Sequence, residues 1–236
     1  MIDTIYFDNW NTLVQAPDLM RRGSSTRVFK EYVNSRGHKV PDSFLDIYQL
    51  IANAQELKAE QDGHREPDYR QRLEDVFTEL RLPDPVGLSH GTWDYYLKLW
   101  PEQTEYFDGV PEMLEELKAD YKLGVITNYM DGPTCREVFR RLGYDGIFNS
   151  LVVSKELGYL KPAQILFETA LSETVSRPEN CVMVGDTYAA DVVGGNLAGM
   201  KTVLVDIYNT QHDHYGEASA VIKHISEFPE ALRGLL

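Results

Sequence analysis

Five polar side chains in this sequence have the types needed for metal-assisted nucleophilic chemistry. The set is Asp8, Thr127, Lys161, Asp186 and Asp191. Carboxylates gathered in one place repel one another unless a cation binds between them, and Mg²⁺ prefers hard oxygen ligands such as carboxylates. A carboxylate can also attack a substrate and form a covalent intermediate. These residue types therefore predict a magnesium site in which Lys161 offsets negative charge and Thr127 donates a hydrogen bond.

Apolar segments typical of β-strands lead into most of these residues. Residues 2–7 are mostly β-branched or aromatic and directly precede Asp8, and residues 181–184 lie just before Asp186. In open α/β sheets the carboxyl ends of several strands meet at one crevice, where ligands bind. The predicted strands would therefore bring the polar residues together at one edge of a sheet.

The segments around these strands alternate between strand and helix patterns. Further strands are predicted at 122–128, 151–154 and 202–205, and helices at 110–120, 133–142, 162–171 and 189–198. Repeated strand–helix alternation is typical of a parallel sheet with helices on both faces. The fold class predicted is α/β, with a Rossmann-like, doubly wound parallel sheet.

Residues 15–101 have a different pattern. Apolar residues recur at helical spacing in 27–36, 42–58, 69–81 and 91–100, prolines separate these segments, and no strand is evident. The sequence thus predicts two domains: an α/β core of residues 1–14 and 102–236, and an inserted helical domain of residues 15–101.

The composition excludes several classes of function. The chain has 236 residues and a formal net charge of −14, which argues against binding nucleic acid because phosphate contacts need a basic face. No apolar run is long enough to span a membrane, no signal peptide is read at residues 1–4, and two cysteines are too few for a disulfide framework. We expect a cytoplasmic protein with a small-molecule, anionic substrate, which local cations or a metal must neutralise.

Four segments occur in the order found in the haloacid dehalogenase superfamily. They are DNWNTL at 8–13, VITN at 125–128, GYLKP at 158–162 and GDTYAAD at 185–191. The chain resembles this superfamily across the whole predicted core, and the helical insert resembles its type 1 cap. The resemblance implies a hydrolase that forms a covalent intermediate on Asp8.

The resemblance also implies a role for each site residue. Asp8 would be the nucleophile, and Thr127 and Lys161 would hold the phosphoryl oxygens of a substrate. Asn128 and the indole of Trp10 are expected on the substrate side. The Mg²⁺ ligands implied are Asp8, the backbone carbonyl of Trp10, Asp186 and Asp191.

Trp10 departs from the family pattern. Phosphatases of the superfamily carry a second aspartate at this position, which protonates the leaving alcohol and later activates water. An indole cannot titrate in that range, and general acid–base help is typically worth about a hundred- to ten-thousand-fold in rate. Dehalogenases of the superfamily carry an aromatic residue here, since halide leaves without a proton, but they usually lack the carboxylate that Asp186 retains.

Three hypotheses follow. The leading one is a Mg²⁺-dependent phosphatase acting on a small phosphorylated metabolite. The second is a metal-free 2-haloacid dehalogenase, for which Arg21, Arg22 and Arg27 are the candidate halide-binding residues by location. The third is a weakly active binding descendant, although the intact acidic set argues against it.

Some single residues keep two interpretations. Trp10 either packs in the core or lines the substrate pocket. Asp191 either binds metal or complements a helix dipole. Arg65 and Arg72 either recognise substrate from the insert or belong to a solvated helix face.

Overall fold

Short apolar segments form a six-stranded parallel sheet in this computed structural model, which describes residues 1–15, 24–144 and 146–236. The strands are β1 (Thr4–Phe7), β2 (Val14–Gln15), β3 (Glu105–Tyr106), β4 (Lys122–Thr127), β5 (Ser150–Val153), β6 (Cys181–Gly185), β7 (Lys201–Val205) and β8 (Ala220–Ile222). The sheet order is β5-β4-β1-β6-β7-β8, and every neighbouring pair is parallel. The predicted α/β fold class is confirmed.

Most of the helices match a predicted helix, with shifted ends. They are α1 (Ser24–Ser35), α2 (Phe44–Gln61), α3 (Tyr69–Glu79), α4 (Pro85–Gln103), α5 (Val110–Leu117), α6 (Gly132–Arg141), α7 (Ser154–Leu157), α8 (Gln164–Thr174), α9 (Val193–Leu197) and α10 (Phe228–Leu235). Local chemistry sets several starts: the Asp68 carboxylate accepts hydrogen bonds from the backbone at the start of α3, and Asp131 does the same for α6.

The chain divides into two compact units. One comprises Met1–Gln15 and Glu105–Leu236, and the other comprises Ala16–Thr104. Each unit has its own buried side chains. In the first, α8 packs on one face of the sheet, where Phe167 and Met183 are fully buried. In the second, aromatic rings such as Phe44, Phe77 and Trp93 fill the space between the helices.

Several elements of the α/β unit were not predicted. Strands β2 and β3 form a small antiparallel ribbon, with Val14 paired to Tyr106 and Gln15 to Glu105. The expectation of no strand within residues 15–101 was therefore wrong at Gln15, which belongs to β2. A two-residue strand is too short to produce a periodic pattern. Strand β8 and helices α7 and α10 also lacked a prediction.

The helix predicted at 189–198 begins differently from expectation. Residues Tyr188–Val192 form a π-helical turn, and α9 follows directly. Single π-helical turns are frequent at functional sites, and this one contains Asp191. In the described part of the chain, no helix is long and apolar enough to cross a membrane.

Candidate active site

Asp8 directly follows β1, the strand between β4 and β6. Its backbone N–H donates to the carbonyl of Val184 at 2.8 Å, which continues the pairing of β1 with β6. Only 6% of Asp8 is exposed. The central strand therefore places a largely buried carboxylate at the carboxyl edge of the sheet.

Lys161 connects the acids of this edge. Its Nζ donates to Asp8 Oδ1 at 2.6 Å, to Asp191 Oδ1 at 2.7 Å and to the carbonyl of Ile126 at 2.7 Å. All three hydrogens of the ammonium group thus have acceptors. Asn128 holds the backbone of the same residue, because its Oδ1 accepts from Lys161 N at 2.8 Å.

Asp191 lies in the π-helical turn and is 1% exposed. Its Oδ2 accepts from the N–H of Thr187 at 3.0 Å. The carboxylate also lies against the backbone of Gly185, where an added Cβ would lie 2.2 Å from Asp191 Cγ. Only glycine leaves room for this contact, so Gly185 is needed at the end of β6.

Asp186 completes an acidic cluster. One carboxylate oxygen from each of Asp8, Asp186 and Asp191 lies within 4.8 Å of the others. Lys161 pairs with Asp8 and Asp191, so when all three carboxylates are ionised two negative charges are left uncompensated. Closely spaced hard oxygens with this charge suit a divalent cation such as Mg²⁺.

The pKa values of the clustered side chains also favour a bound cation. Burial, opposed by Lys161 and reinforced by Asp191, raises the pKa of Asp8 to about 6. Burial and the nearby carboxylates of Asp8 and Asp191 raise the pKa of Asp186 to about 8. Burial alone would lower the pKa of Lys161, but the carboxylates of Asp191 and Asp8 raise it to about 12. The cluster therefore favours a bound cation, whether a proton or a metal.

Sequence comparison identifies the family. The profile of the haloacid dehalogenase-like hydrolase family matches residues 41–205. A ribulose-1,5-bisphosphate 5-phosphatase of Halopiger xanaduensis is 30% identical over 87% of this chain and 85% of its own length. The chain belongs to the haloacid dehalogenase-like hydrolases.

Other members of the family extend the comparison. The N-acylneuraminate-9-phosphatase of Mus musculus is 30% identical over 99% of this chain and 95% of its own. The crystal structure of a 2-haloacid dehalogenase from Pseudomonas syringae pv. Tomato DC3000 covers 100% of both chains with a TM-score of 0.79, at 23% identity; at that identity it shows a shared fold alone. Curated phosphatases match at higher identity, so the chain is a hydrolase of this family, with phosphatase favoured over dehalogenase.

Thr127, at the end of β4, differs from the acids because its side chain makes no hydrogen bond to the described residues. The residue is fully buried, and its hydroxyl has no hydrogen-bond partner among the described residues. A buried unpaired hydroxyl is costly, and a hydroxyl in this state is able to bind an oxygen of a ligand. The site role predicted for Thr127 in this haloacid dehalogenase-like hydrolase stays a prediction.

Trp10 lies inside the α/β unit. It is 6% exposed, and its ring packs against Tyr129 with ring centroids 5.3 Å apart. Packing is therefore one function of the indole at the position where family phosphatases carry an aspartate. Its expected place on the substrate side is a prediction, as is the metal contact of its backbone carbonyl.

The arginines considered from sequence fall into different environments. Arg21 and Arg22 lie outside the described residues, and Arg27 is exposed and pairs with Glu31. Arg65 is exposed near Asp62. Arg72 is 5% exposed, donates to Gln55 at 2.8 Å and lies over the ring of Tyr69, so the solvated-face interpretation is wrong for this residue.

Sequence reasoning missed two polar residues that contact the site. Asn11 Nδ2 donates to Asp186 Oδ2 at 3.0 Å, and Gln211 Nε2 donates to the backbone carbonyl of Asp186 at 2.7 Å. Asn11 lies within the first motif but at a position without a family role. Gln211 lies 25 residues after Asp186, in a loop without any motif, so no sequence signal indicated it.

Proposed function

We propose that this chain is a Mg²⁺-dependent phosphatase that acts on a small phosphorylated metabolite through an aspartyl-phosphate on Asp8. The observation that carries the proposal is the contact of one buried ammonium, Lys161, with both Asp8 and Asp191 at 2.6 and 2.7 Å, beside the third carboxylate of Asp186. The identity to curated phosphatases over most of the chain supports it.

The proposed ligands of Mg²⁺ are protein oxygens of this edge. They are the carboxylates of Asp8, Asp186 and Asp191 and the backbone carbonyl of Trp10. The fit rests on the three clustered carboxylate oxygens and their two uncompensated charges. Mg²⁺ bound there would offset the negative charge of a phosphoryl group.

The chain's own residues account for the first chemical step. A carboxylate oxygen of Asp8 attacks the phosphorus atom, and the bond from phosphorus to the ester oxygen breaks, leaving a phosphoryl group on Asp8. Lys161 neutralises charge on the transferring oxygens, and the Thr127 hydroxyl donates a hydrogen bond to one of them. The ester oxygen departs with the electron pair and takes its proton from water.

The second step returns Asp8 to its starting state. Water attacks the phosphorus of the aspartyl-phosphate, the bond to the Asp8 oxygen breaks, and inorganic phosphate leaves. Because Trp10 can neither donate nor accept the proton in either step, we expect substrates with acidic leaving groups to react faster than alkyl phosphates. The helical unit is the proposed source of substrate specificity, and a cytoplasmic location stays a prediction.

Hydrolysis of an aryl phosphate with and without Mg²⁺ tests the proposal. We expect turnover with Mg²⁺ that EDTA abolishes and that Asp8→Asn loses. Asp3→Asn is the matched control, because Asp3 lies just before β1 rather than after it and contacts Thr4 and Asn180. Turnover in Asp8→Asn equal to that of the unchanged chain would refute the proposal.

A dehalogenase is the second candidate, and the aromatic residue at position 10 is the observation that favours it. In that reaction Asp8 would displace halide from carbon and form an ester, which water then hydrolyses. Halide release from 2-chloropropionate in the presence of EDTA tests this function. A rate no higher than that of Asp8→Asn removes it for this class of substrate.

A further inference from the structure

Two side-chain amides bind Asp186 from different parts of the chain. Asn11 Nδ2 donates to the Asp186 carboxylate at 3.0 Å. Gln211 uses both ends of its amide on the same loop: Nε2 donates to the carbonyl of Asp186 at 2.7 Å, and Oε1 accepts from the N–H of Tyr188 at 2.8 Å. Gln211 thus fixes the backbone on both sides of Thr187, while Asn11 fixes the side chain of Asp186.

The orientation of the Asn11 amide is itself determined. The Tyr208 hydroxyl donates to Asn11 Oδ1 at 3.2 Å, which leaves Nδ2 to face Asp186. The backbone of Asn11 is left-handed, with φ of 56°, and its N–H donates to the carbonyl of Val14 at 2.8 Å. A flipped amide would place its oxygen against a carboxylate and lose the bond from Tyr208.

Gln211 is held by the end of β7. Asp206, 1% exposed, accepts from the N–H of Thr210 at 3.0 Å and from the N–H of Gln211 at 3.3 Å. The Tyr215 hydroxyl donates to the same carboxylate at 2.5 Å. A continuous series of hydrogen bonds therefore runs from a sheet strand to the Asp186 loop.

Asp186 needs such support more than the other acids do. Lys161 holds Asp8 and Asp191 directly, whereas the hydrogen bonds to the Asp186 carboxylate come from Asn11 and, at 3.3 Å, from the Thr187 hydroxyl. Repulsion from two neighbouring carboxylates would otherwise turn Asp186 outward. Loss of a group that orients a metal ligand commonly lowers metal affinity by about ten- to a hundred-fold.

We propose that Asn11 and Gln211 are positioning residues that hold Asp186 ready for a divalent cation. The inference deepens the proposed function and rests on it. Neither residue touches the substrate or the reacting atoms in this scheme. Their effect is to preserve the arrangement of the three carboxylates before the cation arrives.

Calorimetric titration of Mg²⁺ into the full chain without substrate tests the proposal. The variants are Asn11→Gly, which suits the positive φ, and Gln211→Met, which keeps the chain length without the amide. We expect both to weaken Mg²⁺ binding by roughly ten- to a hundred-fold. Their melting temperatures in EDTA should stay close to that of the unchanged chain, and turnover should recover toward the original value at saturating Mg²⁺.

Asn180→Ala is the matched control. Asn180 Nδ2 donates to Asp3 Oδ2 at 3.3 Å, at the amino ends of β6 and β1. The variant therefore removes another hydrogen bond from an asparagine amide to an aspartate carboxylate, and the Mg²⁺ affinity should not change. Two results would overturn the positioning proposal and leave the phosphatase proposal standing. One is a Mg²⁺ affinity in Asn11→Gly and Gln211→Met equal to that of the unchanged chain. The other is a loss of affinity that comes with a fall in melting temperature large enough to explain it by unfolding. If the unchanged chain neither binds Mg²⁺ nor shows Mg²⁺-dependent turnover, the proposed function fails, and this inference fails with it.

Discussion

At the scale of single residues, Lys161 determines how negative charge is distributed in the site. Its ammonium is buried and donates to two carboxylates and one backbone carbonyl. Removing one partner of a buried ion pair is more damaging than the pair is stabilising, because the remaining charge stays buried without compensation. The same lysine that serves the proposed chemistry thus also stabilises the carboxyl edge of the sheet.

Replacing Lys161 with Met should therefore affect both stability and activity. We expect the free energy of unfolding in EDTA to fall by about 3 kcal/mol, with part of the loss restored by Mg²⁺, and turnover to be lost. Urea unfolding with EDTA and with Mg²⁺ measures this. Lys122→Met is the control, since Lys122 Nζ donates to the carbonyl of Thr174 at 2.7 Å away from the acids. Equal stability changes in the two variants would contradict the prediction.

Trp10 packs inside the α/β unit, and it stands where phosphatases of the family carry a titratable aspartate. Because the indole is buried against Tyr129, Trp10→Asp should lower the free energy of unfolding by about 3–5 kcal/mol. The same change supplies the missing acid, so the rate with an alkyl phosphate should rise relative to the rate with an aryl phosphate.

The ratio of those two rates is the informative measurement, since it does not depend on how much protein is folded. Trp10→Phe keeps an aromatic ring and adds no acid, and its ratio should equal that of the unchanged chain. An unchanged ratio in Trp10→Asp would mean that protonation of the leaving group does not limit the reaction.

At the scale of secondary structure, the loop after β7 is fixed by one buried carboxylate. Burial alone would raise the pKa of Asp206, but hydrogen bonds from Tyr215 and from the N–H groups of Thr210 and Gln211 hold it well below its ordinary range. A carboxyl whose pKa is lower in the folded state stabilises that state above the unfolded pKa of about 3.9. This stabilisation is lost as the pH falls toward the folded pKa.

Tyr215→Phe should weaken this effect with a definite sign. The pKa of Asp206 moves back toward its ordinary range, and the free energy of unfolding at pH 7 falls by about 1.5 kcal/mol. The difference in the free energy of unfolding between the variant and the unchanged chain should have its full size above about pH 5 and become smaller below about pH 3. Urea unfolding at both pH values measures it, and an equal difference at the two would exclude the charge on Asp206 as the cause.

At the scale of the whole molecule, the helical unit is inserted between two strands that pair with each other. Gln15 and Glu105 are opposite partners in the antiparallel β2–β3 ribbon. Two-residue turns such as Asn-Gly are the commonest way to join antiparallel neighbours. The ends of the insertion therefore meet at a position where a short turn can replace it.

We expect a shortened chain, with residues 16–104 replaced by Asn-Gly, to fold and to bind Mg²⁺, because the acids and Lys161 all belong to the α/β unit. It should hydrolyse small aryl phosphates and lose discrimination between larger phosphorylated metabolites. Circular dichroism, a thermal melt and Mg²⁺ titration measure this. A folded shortened chain without Mg²⁺ affinity would show that the α/β unit is insufficient for the site.

The family and the fold class are readable from local patterns in the sequence. Alternating strand and helix patterns are short-range features, because they follow from the spacing of apolar residues. The four motif segments likewise lie within a few residues each, so they were visible without any contact information. These local patterns are enough to predict a site that contains Asp8, Thr127, Lys161, Asp186 and Asp191.

Which of these groups contact one another depends on the folded chain. Lys161 contacts Asp8 across 153 residues of sequence and Asp191 across 30, and such contacts depend on how strands and loops pack. Long-range packing also determines the contact of Gln211 with Asp186, the burial of Trp10 against Tyr129 and the pairing of β2 with β3. The two-residue strands of that ribbon are too short to show a periodic pattern. Local spacing predicts which acids, lysine and threonine belong to the site, whereas the contacts of Asn11 and Gln211 with Asp186 follow from long-range packing.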